Sequence, residues 1–278
     1  MKIRLGPAGN CISAEEKGTT GSLKRIVKLG LEAQEIEFVR NVYMSNKMAK
    51  EVGKVAKELK IELSVHAPYY INLSSSEKIK IKASKKRILD SLERGNLMGA
   101  TVVVVHAGYY GKNKEKSSEM IFDACKDLTS IIKKKGWKTL LGLETTGKQG
   151  QWGTLDEIIN LCRKLKYVIP CIDFAHLYAR QGGQINYKEV FNKLKVLKLK
   201  KYHCHFSGIK YSLVRIGDGN ERYHLQMKEA GPDFKELAKE ILKRKLDITI
   251  ISESPILEQD SLLMKKIFEK LGYKFFSV

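Results

Sequence analysis

Five of the six histidines in this chain, His66, His106, His176, His205 and His224, fall at or just past the C-terminal ends of apolar, strand-like runs. Glu144, Asp173, Glu221 and Glu253 are interleaved with them. Imidazole nitrogens and carboxylate oxygens are the donors that zinc and manganese take. Strand ends are where a parallel barrel gathers side chains from distant parts of a sequence into one pocket. The chemistry indicated is that of a divalent metal cluster.

The local patterns support this site by site. In Leu63-Ser64-Val65-His66-Ala67-Pro68 the histidine ends an alternating strand and Pro68 stops the pairing, which aims His66 at the mouth of a barrel. Val102-Val103-Val104-Val105-His106-Ala107-Gly108 repeats the arrangement. Glu144 closes Leu141-Gly142-Leu143, and Asp173 closes Val168-Ile169-Pro170-Cys171-Ile172. A carboxylate after so apolar a run is costly unless a cation neutralises it. Glu253 closes the eighth run as Glu144 closes the fifth, and His176 follows Asp173 by three residues in the turn beyond the strand. His203 and His205 project to the same side. His205, nearer the mouth, reads as the ligand, and His203, one layer deeper, as a packed, hydrogen-bonded neighbour. Glu221 and His224 are expected in a long loop after the seventh strand, placed to chelate together.

The elements that must position these residues are legible from periodicity. Strands are expected over Ile3 to Ala8, Ala33 to Phe38, Ile61 to Ala67, Thr101 to Ala107, Thr139 to Thr145, Val168 to Phe174, Tyr202 to Ser207 and Ile248 to Ser254. Amphipathic helices are expected over Ser45 to Leu59, Ser76 to Leu97, Ser117 to Lys134, Thr154 to Lys166, Tyr187 to Lys198, Asp233 to Lys245 and Gln259 to Leu271. Strands apolar on both faces and followed by helices imply an α/β fold with a parallel sheet. Eight such units without a glycine-rich dinucleotide fingerprint favour a closed (β/α)8 TIM barrel over an open doubly wound sheet. No linker or low-complexity block interrupts the pattern, so residues 1–278 read as a single domain with its metal site at the C-terminal face of the strands and with no dinucleotide cofactor.

Composition narrows the setting. The 5 cysteines show no CxxC pairing and mostly lie in apolar runs, as buried thiols in a reducing cytoplasm would. No stretch has the length and apolarity of a membrane span or signal-peptide core, so no membrane partner is expected. Against 31 Asp and Glu stand 51 Lys and Arg, a formal charge of +20. A polyanionic partner is one reading of that excess, and a solvated lysine-rich surface is the other.

The segments His66-Ala67-Pro68-Tyr69-Tyr70-Ile71-Asn72-Leu73, His106-Ala107-Gly108, Glu144-Thr145-Thr146-Gly147-Lys148-Gln149-Gly150, Cys171-Ile172-Asp173-Phe174-Ala175-His176, His205-Phe206-Ser207-Gly208-Ile209-Lys210 and Glu253-Ser254-Pro255 resemble, in this order and over nearly the whole chain, the endonuclease IV family of apurinic/apyrimidinic endonucleases. The pattern departs from the family at Gly208, where an aspartate is usual, and in the spacing of Glu221 and His224.

The resemblance implies three zinc ions, with manganese as an alternative. One would be held by His66, His106 and Glu144, a second by Glu144 as a bridge with Asp173, His205 and Glu253, and the third by His176, Glu221 and His224. It also implies cleavage of DNA on the 5′ side of abasic sites, as in base excision repair, with Glu144 and Glu253 as the catalytic carboxylates. The attack would be an in-line displacement by metal-activated water. Tyr69, Tyr70 and Asn72, with Gln149, Gln151 and Trp152 after Glu144, become DNA-contact candidates. A monomer acting on DNA in the cytoplasm is expected. Two other readings stay open: a single-metal sugar isomerase or epimerase using Glu144, Asp173, His205 and Glu253, and a barrel that binds nucleic acid without cutting it.

Overall fold

The computed structural model describes residues 1–275. Eight parallel strands form its main sheet: β1 (Ile3–Pro7), β2 (Ala33–Glu37), β3 (Glu62–His66), β4 (Val102–Val105), β5 (Leu140–Glu144), β6 (Val168–Asp173), β7 (Tyr202–Phe206) and β8 (Ile248–Ser252). They pair in the order β1-β8-β7-β6-β5-β4-β3-β2. The ends of that order then meet. The Glu32 N–H donates to the Leu5 carbonyl at 3.1 Å and the Gly9 N–H to the Glu35 carbonyl at 2.9 Å, so the sheet closes into the expected (β/α)8 barrel. Gly6 makes the seam possible, because a Cβ there would stand 1.7 Å from the Ala33 carbonyl oxygen.

The helices are α1 (Gly18–Lys28), α2 (Asn46–Glu58), α3 (Lys78–Met98), α4 (Lys114–Lys135), α5 (Leu155–Cys162), α6 (Phe174–Arg180), α7 (Tyr187–Leu194), α8 (Phe234–Arg244) and α9 (Glu258–Lys270). Their apolar stripes, such as Ile121, Leu128 and Ile132 on α4, pack on the outward side chains of the sheet. The strands are apolar on both faces for the anticipated reason. Val103 and Val105 join that outer core, whereas Val102, Val104 and Cys171 pack together on the inner face.

Three elements differ from the periodicity reading. α1 was not among the expected helices, since Lys17 gives it no side-chain cap and Gly18 and Gly21 dilute its pattern. α6 is a short helix capped by Asp173 itself, whose side chain accepts the His176 N–H. The expected loop after β7 is an antiparallel hairpin, Gly208–Arg215 with Asp218–Leu225. Register shifts at Lys210/Tyr211 and Leu213/Arg215 break the alternation by which a strand is recognised. Among the described residues, no helix is long and apolar enough to cross a membrane.

If closure depends on the close approach at Gly6, Gly6→Ala lowers stability by about 2–3 kcal/mol. Urea unfolding would show it as a fall in midpoint at unchanged slope; an unmoved midpoint would refute the tight seam.

Candidate metal centre

The ends of β3, β4, β5, β6, β7 and β8, with α6 and the hairpin after β7, bring all nine sequence-predicted donors to one end of the barrel. Glu144, buried at 1% exposure, lies at the centre. Its Oε2 is 3.1 Å from His66 Nε2 and 2.8 Å from His106 Nε2. Its Oε1 is 3.2 Å from His176 Nδ1 and 3.3 Å from His205 Nδ1. His205 Nδ1 also lies 3.1 Å from Glu253 Oε1, and His176 Nε2 lies 3.2 Å from Glu221 Oε2.

The rings are oriented from behind. His66 Nδ1 lies 2.8 Å from the Ala67 carbonyl and His176 Nδ1 2.9 Å from the Thr145 carbonyl, which makes each Nδ1 the N–H that donates. The Ser207 hydroxyl is 2.6 Å from His224 Nδ1. In His66 and His176, Nε2 is therefore a lone pair facing a carboxylate oxygen at 3.1 Å and 3.2 Å. Two lone pairs at that separation need a second proton on the ring or a cation between them. Asp173 is arranged comparably: Oδ1 accepts the His176 N–H at 2.5 Å, while Oδ2 is buried without a partner. Donors, orientation and orphaned oxygen all fit divalent metal.

Donor atoms within 4.8 Å of one another fall into His66, His106, Glu144; Glu144, Asp173, His176, Glu253; and His176, His224, Glu253. The first group is the expected first set. The others divide the donors differently: His176 joins Glu144 and Asp173, and among the described residues Glu221 shares no such group with His224. Glu221 instead takes the Gly147 N–H at 3.1 Å and lies 3.5 Å from Lys148 Nζ. Its position on a hairpin strand, rather than a free loop, separates the two side chains.

Without metal, charge is balanced by protons. Burial pushes the Glu144 carboxyl up, but the His106 and His205 rings, with hydrogen bonds from His106 and His176, hold it well below the usual carboxylate range. Burial lifts Asp173 well above that range against the His176 ring, with Glu253 and Glu144 adding to the lift. Burial favours the neutral ring of His66, yet Glu37 and Glu144 outweigh it and push the ring up to about 10.

A cavity of about 500 Å³ opens above these groups. Lysine, tyrosine and glutamine side chains, among them Lys148, Tyr69 and Gln151, line it with the donors. A model of the xylose isomerase-like TIM barrel family matches residues 23–267. The chain belongs to that family. An uncharacterized protein of Methanocaldococcus jannaschii is 37% identical over 280 residues, 98% of both chains. A protein of Cenarchaeum symbiosum named probable endonuclease 4 is 27% identical over 263 residues, 86% of this chain and 90% of its own. The E. coli 3-keto-D-glucoside 4-epimerase structure superposes with a TM-score of 0.73 at 16% identity, covering 97% of this chain and 100% of the other. The same barrel is therefore shared with proteins named for two different chemistries.

The DNA-contact candidates divide. Tyr69 lines the cavity at 52% exposure, and Tyr70, 65% exposed, lines the adjoining hollow. Asn72 turns inward, its Oδ1 accepting the Ser74 N–H and hydroxyl at 3.1 and 3.0 Å. The Gln149 side-chain amide donates to the Arg180 and Gly219 carbonyls, tying its loop to the hairpin. Trp152 is corrected outright as a stacking surface: it is 2% exposed and its indole N–H donates to Ser118 Oγ at 3.0 Å. Its two-residue strand pairs with Gly108–Tyr109 and takes the ring into the core.

Sequence reasoning missed Glu35 and Glu37, inward on β2. Burial pushes Glu37 up to about 8, with Glu35 and Glu253 adding and His66 opposing. Two acids at alternate positions of a buried strand, Ala33-Gln34-Glu35-Ile36-Glu37, were the signal, by the argument that singled out Glu144. Arg180 was also missed: from α6 it donates to the carbonyls of Thr146, Lys148 and Gln151 and holds the loop after β5.

The proton balance has a sign. A ring titrating at about 10 in the metal-free fold and at 6.5 as a free side chain adds stability fully present below 6.5 and lost as pH rises through about 10. Metal needs the deprotonated ring, so its stabilisation runs the opposite way. Chelator-treated protein is expected to melt lower as pH rises across that interval, while the gain in Tm from added zinc grows. A zinc effect independent of pH would contradict this proton–metal exchange.

Proposed function

We propose that this chain is a metal-dependent phosphodiesterase of the endonuclease IV type, cutting DNA on the 5′ side of abasic sites in base excision repair. One observation carries the reading: the buried carboxylate Glu144 belongs to two donor groups at once, as a ligand shared between neighbouring ions would. Metal at His66, His106 and Glu144, and at Glu144, Asp173 and Glu253 with His205 Nδ1, fits these donors. His224 with His176 and Glu253 would hold a third ion. The mixed nitrogen and carboxylate set suits zinc and also admits manganese. Divalent ions bound there would supply Lewis acidity toward a phosphate oxygen and an acidified water.

The chain's own residues do the rest. Lys148, beside Glu221 at the cavity, offers a cation to a phosphate. Hollows on both sides adjoin the cavity and carry cations and exposed tyrosines. One, of about 640 Å³, shares Glu37 and Val39 with it and holds Arg40 and Tyr43. The other, of about 410 Å³, shares Tyr69, Ile71 and Tyr109 and holds Tyr70, Lys80 and Arg87. A track of cations and aromatic rings through a metal-ligand pocket is what a polynucleotide backbone requires. The formal charge of +20 and the likeness to the protein named probable endonuclease 4 support the same substrate. A lesion without a base would enter the cavity at little unstacking cost.

Elemental analysis beside a nicking assay on a duplex with one abasic site tests this. The expected outcome is more than one divalent ion per chain and a cut 5′ to the lesion. Glu144→Gln is expected to lower nicking by at least about 100-fold, because the loss of a shared ligand exceeds the usual cost of removing an outer-shell partner. One ion per chain with no cut would overturn the proposal and favour the sugar isomerase or epimerase reading.

A further inference from the structure

The end of the barrel opposite the metal centre carries a concentration of charge that the proposed reaction does not use. Segments 133–138, 163–166, 195–201 and 243–247 lead into β5, β6, β7 and β8. Together they hold 14 Lys and Arg against one acid, Asp247. These four strands are consecutive neighbours in the sheet, and neighbouring strands lie about 4.8 Å apart, so the segments form one continuous arc. All but two of its cations are exposed and, among the described residues, make no ion pair; the two exceptions, Lys201 and Arg244, pair with Glu62 and Glu240.

Neither surface wetting nor helix electrostatics accounts for the arc. Lysines that only keep a surface wet are free to sit beside acids, as Lys24, Lys86 and Lys239 do with Glu16, Asp90 and Glu236 at 2.8, 2.6 and 2.7 Å. Lysines in the last turn of a helix complement its dipole, which serves Lys133, Lys134 and Lys135 on α4 and Lys243 on α8. That effect fades within a turn, and Lys138, Lys166 and Lys200 lie beyond the helices. Lys198 and Lys245 take left-handed backbone, φ 49° and 53°, at caps where α4 uses Gly136. Glycine adopts that conformation more easily, so both positions keep a cation against the backbone preference. Like charges crowded on one rim repel each other, and a polyanion relieves the repulsion.

We infer that this arc is a second polyanion-binding face, fitted to the phosphate backbone of undamaged duplex DNA and separate from the metal centre. Lysine ammonium groups act as point charges toward phosphate and read no base sequence. Tyr167 and Val196, 36% and 48% exposed, are the large apolar side chains that the arc exposes among the described residues. They are too few to stack a single strand or to seat the face in lipid. The barrel would then hold one duplex segment at its base while the metal centre addresses another, whatever reaction that centre performs.

Fluorescence anisotropy of full-length protein with a labelled, undamaged 20-base-pair duplex, titrated at several salt concentrations, tests the face. In one variant Lys138, Lys166 and Lys200 are each changed to Glu; in a second Lys54, Lys126 and Lys266, exposed on α2, α4 and α9, are changed alike, so that net charge falls equally. The first variant is expected to bind at least about 10-fold more weakly, with the slope of log K against log salt shallower by about 2–3, since each lost phosphate contact removes about 0.9. The second is expected to stay within about 2-fold of wild type. Circular dichroism checks folding, and the same three changes to Gln replace the first variant if it does not fold. Equal weakening in both variants, no weakening in the first, or binding of phosphatidylglycerol-containing vesicles without binding of the duplex would overturn the face. The duplex carries no lesion, so the outcome is independent of whether abasic DNA is nicked.

Discussion

The arrangement of this molecule follows from one costly placement, an ionised carboxylate buried at the C-terminal end of β5. Glu144 has both oxygens facing imidazoles, His66 and His106 on one side, His176 and His205 on the other. An isolated carboxylate in so dry a place would take up a proton. Four rings at short range keep it charged, and backbone carbonyls behind His66 and His176 keep those two rings aimed at the cluster. Proton-balanced ion pairs can satisfy such a cluster, but they leave Asp173 Oδ2 without a partner. Divalent charge at the same place neutralises more carboxylate with fewer protons, so the constellation reads as a metal centre rather than a structural ion-pair network.

Around that centre, elements that look incidental are tied to it. Asp173 ends β6 and caps α6, so one side chain both starts a helix and offers its second oxygen to the cluster. α6 in turn carries His176 and Arg180, and Arg180 gathers the backbone of the loop after β5, where Lys148 and Gln151 face the cavity. The hairpin beyond β7 brings Glu221 and His224 over the same opening and is stitched to that loop through Gln149 and Asn220. Ligands on strand ends, with flanking loops cross-linked to each other, give a site held from several directions.

Fold alone does not choose the reaction. The same barrel superposes on a sugar epimerase and aligns in sequence with a protein named for endonuclease activity. What separates the readings is local: how many ions the donors can share, and whether the mouth is built for a phosphate backbone. The proposed phosphodiesterase rests on both, through the double membership of Glu144 and the cations and tyrosines flanking the cavity.

Amino-acid order by itself determined the eight strands and most of the helices, because each strand must be apolar on both faces and each helix on one. It also determined that His66, His106, Glu144, Asp173, His205 and Glu253 would meet at one end, since strand-end residues of a parallel barrel all point there, whereas His176, Glu221 and His224 reach it from α6 and the hairpin. The partition of those donors was decided only in three dimensions. Whether His176 sides with Asp173 or with Glu221 depends on a helix that Asp173 itself nucleates, and whether Glu221 meets His224 depends on bulges in a hairpin whose broken alternation hid it. Trp152 looked like a loop residue free to stack until the Gly108–Tyr109 pairing turned it into the core. The link from Glu35 to His203 and His205 joins residues more than 160 positions apart, and only closure of the barrel brings their atoms to hydrogen-bond distance. Periodicity reports which face a side chain occupies; which partner it finds there is set by barrel closure and register.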